Sequence, residues 1–357
     1  MSICGAATVR VTTWNLNWFP NGTPKELPPQ EQAQRIAKAA DVLRPLNSDI
    51  LLLQEVRDYD VCQRLAEAIT PHTYQLAICS AFREGSGIGK QQVAILAKDS
   101  AQAAWSEPWK SMEGVDPPRG FAFAWFKLKG ADVGVYAVHL KSNLVMHGDK
   151  ATEGAKNIHK REVAARQLLE HMRDVITTAM PNVRSIIVGG DFNTNSAEFA
   201  NELTLKRLVE AGFANCMGTL PPNRRVTHPG GHGYPDTTFD YILARNASLG
   251  PPQITLSHAS DHLPVTCEVE VVSTPVQLPP SKNESPPPPS NASPSPSVST
   301  EPQIVTLTQP VKIKIAYGET VLPRGMKLPI LSRDATTVRV QYMGKTQTIP
   351  VSATDLR

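Results

Sequence analysis

The sequence of 357 residues predicts an α+β fold: two packed, mainly antiparallel sheets with helices outside, a four-layer α/β/β/α sandwich, then a small β-barrel. Within residues 1–272, more than eight segments have strand-like patterns and four have helical spacing. Residues 273–303 contain ten prolines among Ser and Asn and almost no large apolar side chains, which is typical of an extended spacer. Residues 304–357 contain only short alternating segments, which indicate a second, small β domain.

Each element of the first domain is predicted from its own pattern. Residues 9–14 alternate and are β-branched, as in a strand, whereas 49–53 is an apolar run that suits a central strand buried on both faces. The spacing of Ile36, Ala39 and Leu43 predicts a helix over 31–46. Further strands are predicted near 74–79, 91–97, 121–128, 132–138, 185–188, 239–244, 254–258 and 264–271, and further helices near 61–69, 157–180 and 198–211.

Composition narrows the function only slightly. The 36 Lys and Arg against 33 Asp and Glu neither indicate a nucleic-acid-binding protein nor exclude a local basic groove. The five cysteines lack the CxxC spacing of zinc sites, and a Cys62–Cys79 disulfide is an open alternative for an exported protein. No window approaches the ~20 apolar residues of a membrane span. The N-terminus shows no signal-peptide pattern, so a secreted or periplasmic location and a cytoplasmic one both stay open.

The stretch 185–194 leads from a buried strand directly into a carboxylate and a carboxamide. An apolar run followed by a glycine pair predicts a core strand that ends at Val188. Asp191 and Asn193 are two residues apart, so in an extended chain both side chains project to the same side. An acid and an amide that face one point can position and activate a water molecule. The same Gly-Asp-x-Asn pattern also occurs in ordinary turns after strands.

Polar residues recur at the predicted ends of the other strands. Singly, each has an ordinary structural explanation, such as a turn residue or a hydrogen-bonded interior histidine. Glu55 and Asp240 are harder to explain in this way, because they adjoin apolar strands and an unpaired buried carboxylate is costly. The candidate catalytic residues are His139, Asp191, Asn193, Asp240 and His262, and the candidate metal ligands are Asn15, Glu55 and Asp261.

The residue types of this set predict a reaction class. Asn15, Glu55 and Asp261 offer oxygen ligands, which suit Mg²⁺, Mn²⁺ or Ca²⁺ and not zinc. Asp191 and two histidines remain for proton transfer and charge stabilisation. Histidines beside a divalent cation fit a phosphate substrate, because negative charge develops on it in the transition state. The residues therefore predict metal-assisted hydrolysis of a phosphoester.

Six motifs carry a resemblance to a known family. TWN, LLLQEVRD, VHLKS, VGGDFNT, FDYIL and SDHLPV occur in this order and resemble the endonuclease/exonuclease/phosphatase superfamily over essentially all of residues 8–272. QEVRD and the histidine of VHLKS are most similar to type I deoxyribonucleases. The resemblance implies a Mg²⁺-dependent phosphodiesterase that acts on nucleic acid, in particular as a DNA endonuclease. We expect a monomer.

The resemblance also implies a metal site. Glu55 is expected to hold the divalent ion, with help from Asn15 and Asp261. Asn17 stands where apurinic-site endonucleases tend to have an acidic residue, so a second metal position is weakened.

The remaining residues receive catalytic roles from the same resemblance. Asp191 is expected to orient and deprotonate the attacking water, while Asn193 holds water or phosphate. His262, polarised by Asp240, is expected to contact the scissile phosphate or share the acid/base work. His139 is expected to stabilise the pentacovalent phosphorane or protonate the leaving oxygen.

One departure concerns the partner of the first histidine. The pancreatic-type enzyme pairs this histidine with a glutamate from the preceding region, where the present chain has Gln91 and Gln92. Either glutamine is expected to serve as a neutral partner, which would leave His139 less basic.

Basic residues near these motifs are candidates for binding the substrate. Arg57 and Arg119 resemble positions that contact the nucleic-acid backbone in deoxyribonucleases. A basic loop after the 132–138 strand continues into the next helix, and cations at a helix N-terminus oppose its dipole unless an anion binds there. The alternative is ordinary solvated surface charge. The candidate substrate-binding residues are Arg57, Arg119, Lys141, Asn143, Lys160 and Arg161.

The C-terminal unit has strand patterns at 304–308, 311–316, 338–342 and 346–349 and resembles bacterial SH3-like domains. It carries eight basic and three acidic residues. A basic barrel on a proline-rich spacer would raise the local concentration of the first domain at an anionic polymer. We expect it to bind cell wall, nucleic acid or another polymer, or a protein.

Two other functions stay open. The same fold could act on a phospholipid head group, an inositol phosphate or a protein–DNA phosphodiester. Phe239-Asp240-Tyr241 does not match the motif of inositol phosphatases, and a sphingomyelinase-like role would favour an exposed apolar hairpin, for which Trp105 and Trp109 flank a candidate segment. Alternatively, the chain is a catalytically silent scaffold whose function lies in the SH3-like unit.

Overall fold

The computed structural model describes residues 6–176, 180–195, 201–231, 234–272, 304–315, 318–322, 326–342 and 345–356. The predicted spacer at 273–303 and the first residues of the helix predicted near 198–211 lie outside this part of the chain. Among the described residues, no helix combines the length and apolar character that a membrane span requires.

Strands dominate the first unit, residues 6–272, and helices connect some of them. The strands of its described part are β1 (Ala6–Phe19), β2 (Ile50–Val56), β3 (Gln75–Cys79), β4 (Arg83–Glu84), β5 (Gly87–Ile88), β6 (Gln92–Ala97), β7 (Ala101–Pro108), β8 (Gly120–Leu128), β9 (Ala131–His139), β10 (Ser185–Asp191), β11 (Ala214–Asn215), β12 (Asp240–Arg245), β13 (Ala247–Leu249), β14 (Gln253–Ile254) and β15 (Val265–Val272). The α-helices are α1 (Pro29–Leu43), α2 (Tyr59–Ala68), α3 (Lys150–His171) and α4 (Thr204–Glu210). A π-helical turn, Met172–Ile176, extends α3.

The first sheet has the strand order β13-β15-β1-β2-β6-β3, with β14 paired to β15. Its centre is the parallel pair β1 and β2, and β15 runs antiparallel to β1. The apolar run in β2 explains this central place, because its two faces are buried in different cores. Ile50 and Leu52 belong to the core shared with the second sheet, while Leu51 and Leu53 pack in the core beneath α1 and α2.

The second sheet has the order β11-β12-β10-β9-β8-β7, with β9 and β10 parallel. Every residue of β9 is buried, which fits a strand that lies between a facing sheet and a helix. On the helix side, Ala164 and Leu168 of α3 join the core. Tyr136 of β9 contacts the His171 ring, with its hydroxyl 2.9 Å from Nδ1. The chain therefore has the mixed α/β fold that the sequence predicts.

Helix boundaries differ from the predictions where capping side chains decide them. Helix α3 begins at Lys150 and not near 157, because the Asp149 carboxylate accepts hydrogen bonds from the backbone N–H and the hydroxyl of Thr152. Asp58 caps α2 in the same way, by accepting from the N–H of Val61 at 2.9 Å. Strand β7 was not predicted at all.

The described residues of the C-terminal unit form six strands. They are β16 (Ile304–Thr306), β17 (Val311–Ile315), β18 (Gly318–Leu322), β19 (Lys327–Arg333), β20 (Thr337–Tyr342) and β21 (Lys345–Pro350). Strands β16, β19, β20 and β21 pair into one sheet, and β17 pairs with β18. The SH3-like barrel stays a prediction. This unit contacts the first one at β7, where the Tyr342 hydroxyl lies 3.0 Å from both the N and the O of Ala104.

The cysteines of the described part are free thiols. Cys62 of α2 and Cys79 of β3 are buried with their Sγ atoms 3.9 Å apart. Their disulfide in an exported protein stays a prediction.

Candidate active site

The topology brings the candidate residues to one edge of the two sheets. The parallel pairs β1/β2 and β9/β10 end at this edge, and β12 and β15, which run the opposite way, begin there. Within the second sheet the register is direct: Asp191 pairs with His139 on one side and with Asp240 on the other. Residues from distant parts of the sequence thus become immediate neighbours.

The backbone leaves regular strand geometry where β1 and β2 reach this edge. Glu55 has a φ of 58°, and Asn17 and Trp18 have φ values of 51° and 48°. The register between β1 and β2 also shifts between Asn15 and Phe19. A positive φ is unfavourable for residues other than glycine and tends to occur at functional sites. Here it accompanies a Glu55 carboxylate whose Oε2 accepts a hydrogen bond from the N–H of Trp18 at 2.9 Å.

Asn15 joins two carboxylates. Its Nδ2 donates to Glu55 Oε1 at 3.2 Å and to Asp191 Oδ2 at 3.0 Å, and its Oδ1 accepts from the N–H of Asn17. His139 lies on the same two groups, with Nε2 3.5 Å from Asp191 Oδ2 and 3.7 Å from Glu55 Oε1. The predicted metal-binding and water-activating halves of the site therefore meet at one amide.

Asp191 is held at the centre of the site by its strand. The glycine pair before it allows close packing: a Cβ on Gly190 would lie 2.0 Å from the Val138 carbonyl oxygen, and one on Gly189 would lie 2.5 Å from Leu52. Burial raises the pKa of Asp191 to about 7, with His262 opposing this shift and Asp240 adding to it. Near neutral pH this carboxyl group can therefore both accept and release a proton.

The prediction that Asn193 continues the extended strand of Asp191 is wrong. Asn193 has a φ of 51°, which turns the chain, so the two residues do not lie on one extended strand. Its backbone N–H donates to Asp191 Oδ1 at 2.9 Å, and its side chain donates to the Leu140 carbonyl at 3.2 Å. Asn143 donates to the carbonyl of Asn193 at 2.9 Å, which ties the loop after β9 to this turn.

His262 and Asp240 form a buried dyad. His262 Nδ1 lies 2.8 Å from Asp240 Oδ2, and its Nε2 lies 3.8 Å from Asp191 Oδ2. Burial alone would lower the pKa of His262, but the Asp240 and Asp191 carboxylates outweigh it and raise the pKa to about 10. His262 is therefore an imidazolium near neutral pH, aimed at the same point as Asp191.

The pKa of His139 is shifted in the opposite direction to that of His262. Burial, followed by the charges of Arg119, His262 and Lys141, holds the pKa of His139 well below the usual range. Its Nδ1 has no hydrogen-bond partner among the described residues. The predicted glutamine partner is not found there: Gln92 binds the backbone of Phe82, and the Gln91 oxygen accepts from Arg119 at 3.3 Å. The lower basicity expected for His139 thus follows from burial and nearby cations and not from a glutamine partner.

The residues present fit a divalent cation. Two carboxylates, Glu55 and Asp191, converge on one neutral amide, and a cation would relieve their repulsion. Asp191, Asp240 and His262 also cluster within 4.8 Å; Asp240 Oδ2 binds His262 Nδ1, while the buried Asp240 Oδ1 has no hydrogen-bond partner among the described residues. Asp261 is exposed, and its loop is fixed by Ser260, whose hydroxyl donates to the Asn15 carbonyl at 2.7 Å. Glu55 stays a predicted metal ligand.

The predicted substrate-binding residues separate into two groups. Arg57 is paired with Glu26 and Asp58, and Arg119 donates to the carbonyls of His139 and Leu140 at 3.0 and 2.7 Å. Lys141, Asn143 and Lys160 lie partly exposed on or behind the loop that follows β9. Of these five residues, Arg119 contacts the strand end that carries His139, and Asn143 contacts the turn that carries Asn193.

Arg161 does not belong with them. Its side chain is fully buried, and it donates to both carboxylate oxygens of Glu202 at 2.8 and 2.6 Å and to the Lys141 carbonyl at 2.9 Å. The prediction of a substrate contact for Arg161 does not agree with this burial. The prediction included Arg161 because it follows Lys160 in a run of basic residues, and nothing in the sequence signalled its partner 41 residues further on.

Three residues of the site were not predicted. Thr227 accepts hydrogen bonds through its Oγ1 from the backbone N–H groups of Phe239 and Asp240, at 2.9 and 3.1 Å. The ring of His228 lies 4.7 Å from that of His262. Arg35 of α1 donates to the Asn17 carbonyl at 3.5 Å, and its lowered pKa reflects burial, opposed by Asp261. None follows a predicted strand, so the strand-end pattern could not reveal them.

Comparison with known proteins gives a family match and solved structures of similar fold. A sequence model of the Endonuclease/Exonuclease/phosphatase family matches residues 12–262. A solved endonuclease/exonuclease/phosphatase from Beutenbergia cavernae is 20% identical, with a TM-score of 0.54 over 74% of this chain and 72% of that chain. A family protein from Leptotrichia buccalis is 17% identical, with a TM-score of 0.53 over 73% and 99%. TDP2 from Caenorhabditis elegans is 16% identical, with a TM-score of 0.51 over 74% and 75%.

At these identities the likeness to solved structures concerns the fold alone. The search of curated proteins gives no match.

Proposed function

We propose, from the premise that the chain belongs to the endonuclease/exonuclease/phosphatase family, that it is a divalent-metal-dependent phosphodiesterase and specifically a deoxyribonuclease-like endonuclease. The observation that carries the proposal is the position of Asp191 Oδ2. It lies 3.0 Å from Asn15 Nδ2, 3.5 Å from His139 Nε2 and 3.8 Å from His262 Nε2. One carboxylate thus faces an amide, a neutral imidazole and an imidazolium, which together offer a base for an attacking water and donors for the charge that develops on a phosphodiester.

Each residue has a role in the proposed reaction. Asp191 orients the attacking water and accepts its proton, and the N–H of Asn193 holds the carboxylate in place. His262, kept cationic by Asp240, contacts a non-bridging oxygen of the scissile phosphate and stabilises its growing negative charge. His139, as a neutral imidazole, donates a hydrogen bond to the phosphorane or to the leaving oxygen.

The metal site completes this arrangement. Glu55 would hold Mg²⁺, with Mn²⁺ or Ca²⁺ as alternatives, and Asn15 and Asp261 would assist. A bound divalent ion would neutralise charge on the phosphate. The backbone contact from Trp18 and the amide of Asn15 keep the Glu55 carboxylate oriented for this purpose.

Plasmid nicking tests the proposal. Purified protein is incubated with supercoiled plasmid and Mg²⁺, and we expect nicked circles, with loss of the activity in EDTA and in Asp191→Asn. Asp60→Asn, an exposed aspartate on α2, is the matched control and should keep full activity. Nicking that persists in EDTA or in Asp191→Asn would contradict the mechanism.

A second candidate substrate is a phospholipid head group. Leu144, Met146 and Leu256 are 57%, 71% and 87% exposed on loops that follow β9 or precede β15, beside the site. Exposed apolar loops around a catalytic edge suit contact with a lipid surface. Trp105 and Trp109, in contrast, are buried, so they do not form the exposed hairpin considered from the sequence. Release of head group from phosphatidylcholine vesicles, with plasmid left intact, would favour this candidate.

A further inference from the structure

A cavity of about 560 Å³ lies beside the catalytic cluster, within the range of volumes that bind small organic groups. Its walls come from the segment between β3 and β6, from the end of β7 and from the segment before β8. These segments lie at the same edge of the sheets as the catalytic residues, because β3 ends there and β6 and β8 begin there. The cavity and the catalytic candidates therefore lie at the same edge of the two sheets.

Arg119 connects the cavity to the catalytic cluster. Arg119 lines the cavity, while its Nε donates to the His139 carbonyl at 3.0 Å and its Nη2 to the Leu140 carbonyl at 2.7 Å. The wall of the cavity is thus one side chain away from the strand end that carries His139. A group bound in the cavity would lie next to the phosphodiester that is cut.

The C-terminal unit contributes to the same wall. Lys312 of β17 lines the cavity, and the β17–β18 hairpin lies against β7 and β3. The contact of the Tyr342 hydroxyl with Ala104 fixes this unit on β7. Lys312 is therefore the contribution of the appended unit to a surface that is otherwise built from the first unit.

The lining has the chemistry of a site for an anionic ring compound. The lining contains three basic residues and one acidic residue. The basic residues are Arg83, Arg119 and Lys312, and the acidic one is Asp116, whose carboxylate accepts a hydrogen bond from a serine at 2.6 Å. Trp109 is 6% exposed, and its Nε1–H has no hydrogen-bond partner among the described residues. A buried donor without a partner is unfavourable, and a small shift of the indole would let an acceptor on a ligand in the cavity satisfy it.

We propose that this cavity binds the nucleotide next to the scissile phosphodiester of a DNA strand. The base packs against Phe82 and Trp109 and accepts a hydrogen bond from the indole, and the phosphate of this nucleotide lies between Arg83 and Lys312. The C-terminal unit is then part of the substrate site. This inference rests on the proposed nuclease function.

Binding of a labelled oligonucleotide tests the cationic wall. Fluorescence anisotropy is measured with the full chain in the Asp191→Asn background, so that the strand is not cut. Lys312→Ala and Arg83→Ala should each weaken binding about two- to fivefold and make the slope of log K against log[salt] shallower by about 0.7. Lys327→Ala, an exposed lysine of the same C-terminal unit outside the cavity lining, is the matched control and should change neither value.

Hydrolysis separates this site from the catalytic centre. The ratio of kcat/KM for a DNA oligonucleotide to that for bis(4-nitrophenyl) phosphate should fall in Lys312→Ala and stay unchanged in Lys327→Ala. Trp109→Phe keeps the ring and removes the N–H donor, and it should lower the same ratio about two- to tenfold. Variants that match Lys327→Ala in affinity, salt slope and this ratio would overturn the inference. A wild-type chain that neither binds nor cuts DNA would instead overturn the proposed function.

Discussion

At the scale of single residues, the site depends on imidazoles that differ in charge. His262 is cationic because the Asp240 carboxylate is buried against it at 2.8 Å. His139 is neutral because burial, and after it the nearby cations, lower its pKa. The two rings approach the same carboxylate oxygen of Asp191. In the proposed reaction, the surroundings and not the residue type thus make His262 the donor for the developing phosphate charge and His139 the neutral donor for the leaving oxygen.

Asp240→Asn should lower kcat for plasmid nicking about 10²–10⁴-fold, because His262 loses the carboxylate that keeps it protonated and oriented. The measurement is the initial rate of nicking at saturating plasmid. A rate equal to that of Asp60→Asn would show that the dyad is structural only.

Lys141 should make DNA affinity depend on pH. Burial, together with Arg119, Lys160 and Arg161, lowers the pKa of Lys141 to about 8, so its positive charge is present below this pH and is lost above it. As the pH rises from 7 to 9, affinity for the labelled oligonucleotide should fall by about two- to fivefold more than in Lys141→Arg, which stays charged. Identical pH profiles for the two proteins would exclude a role for Lys141 in binding.

At the scale of elements, the sequence predicts the strands and helices more completely than it predicts which side chains contact one another. Periodicity and apolar runs predict β1, β2, β9 and β10, because each strand pattern reflects burial of its own residues. Strand β7, with its alanines and its terminal proline, carries no such signal, and its place depends on its neighbour β8. Most of the polar residues that the sequence places at strand ends also lie together at one edge of the sheets, as the order of the motifs predicts.

The sequence does not reveal which side chains that are far apart in the chain contact one another. Thr227 supports Asp240 and Glu202 pairs with Arg161 only because loops and helices meet in space. Asn193 leaves the extended strand because of its own positive φ, which a strand pattern does not encode. Local periodicity reports burial, and neither pairing nor backbone turns follow from it.

The buried pair Arg161–Glu202 joins α3 to the segment before α4. Arg161→Met should lower the free energy of unfolding by about 3–5 kcal/mol, because the Glu202 carboxylate stays buried without its cation. The double variant Arg161→Met/Glu202→Leu should recover most of this loss. Urea unfolding measures both. If Arg161→Met left stability unchanged but reduced the salt dependence of DNA binding, the substrate contact expected from the sequence would be reinstated.

At the scale of the whole molecule, two units of different charge character share one surface. The first unit supplies the catalytic edge, and the C-terminal unit, with eight basic and three acidic residues, places Lys312 beside it. A spacer rich in proline joins them in the sequence. Attraction of a polyanion by the appended unit and its cleavage by the first unit would then be coupled through a single binding surface and not only through a tether.

The Tyr342–Ala104 contact has a further consequence for association between molecules. Strand β7 is the last strand of its sheet, and the unpaired N–H and C=O groups of such a border can recruit a strand from another chain. The Tyr342 hydroxyl occupies both backbone groups of Ala104. Removal of residues 304–357 should therefore produce dimers or larger aggregates in size-exclusion chromatography with light scattering, and a strictly monomeric truncated chain would contradict this. The appended unit would then protect the protein from self-assembly through its own sheet.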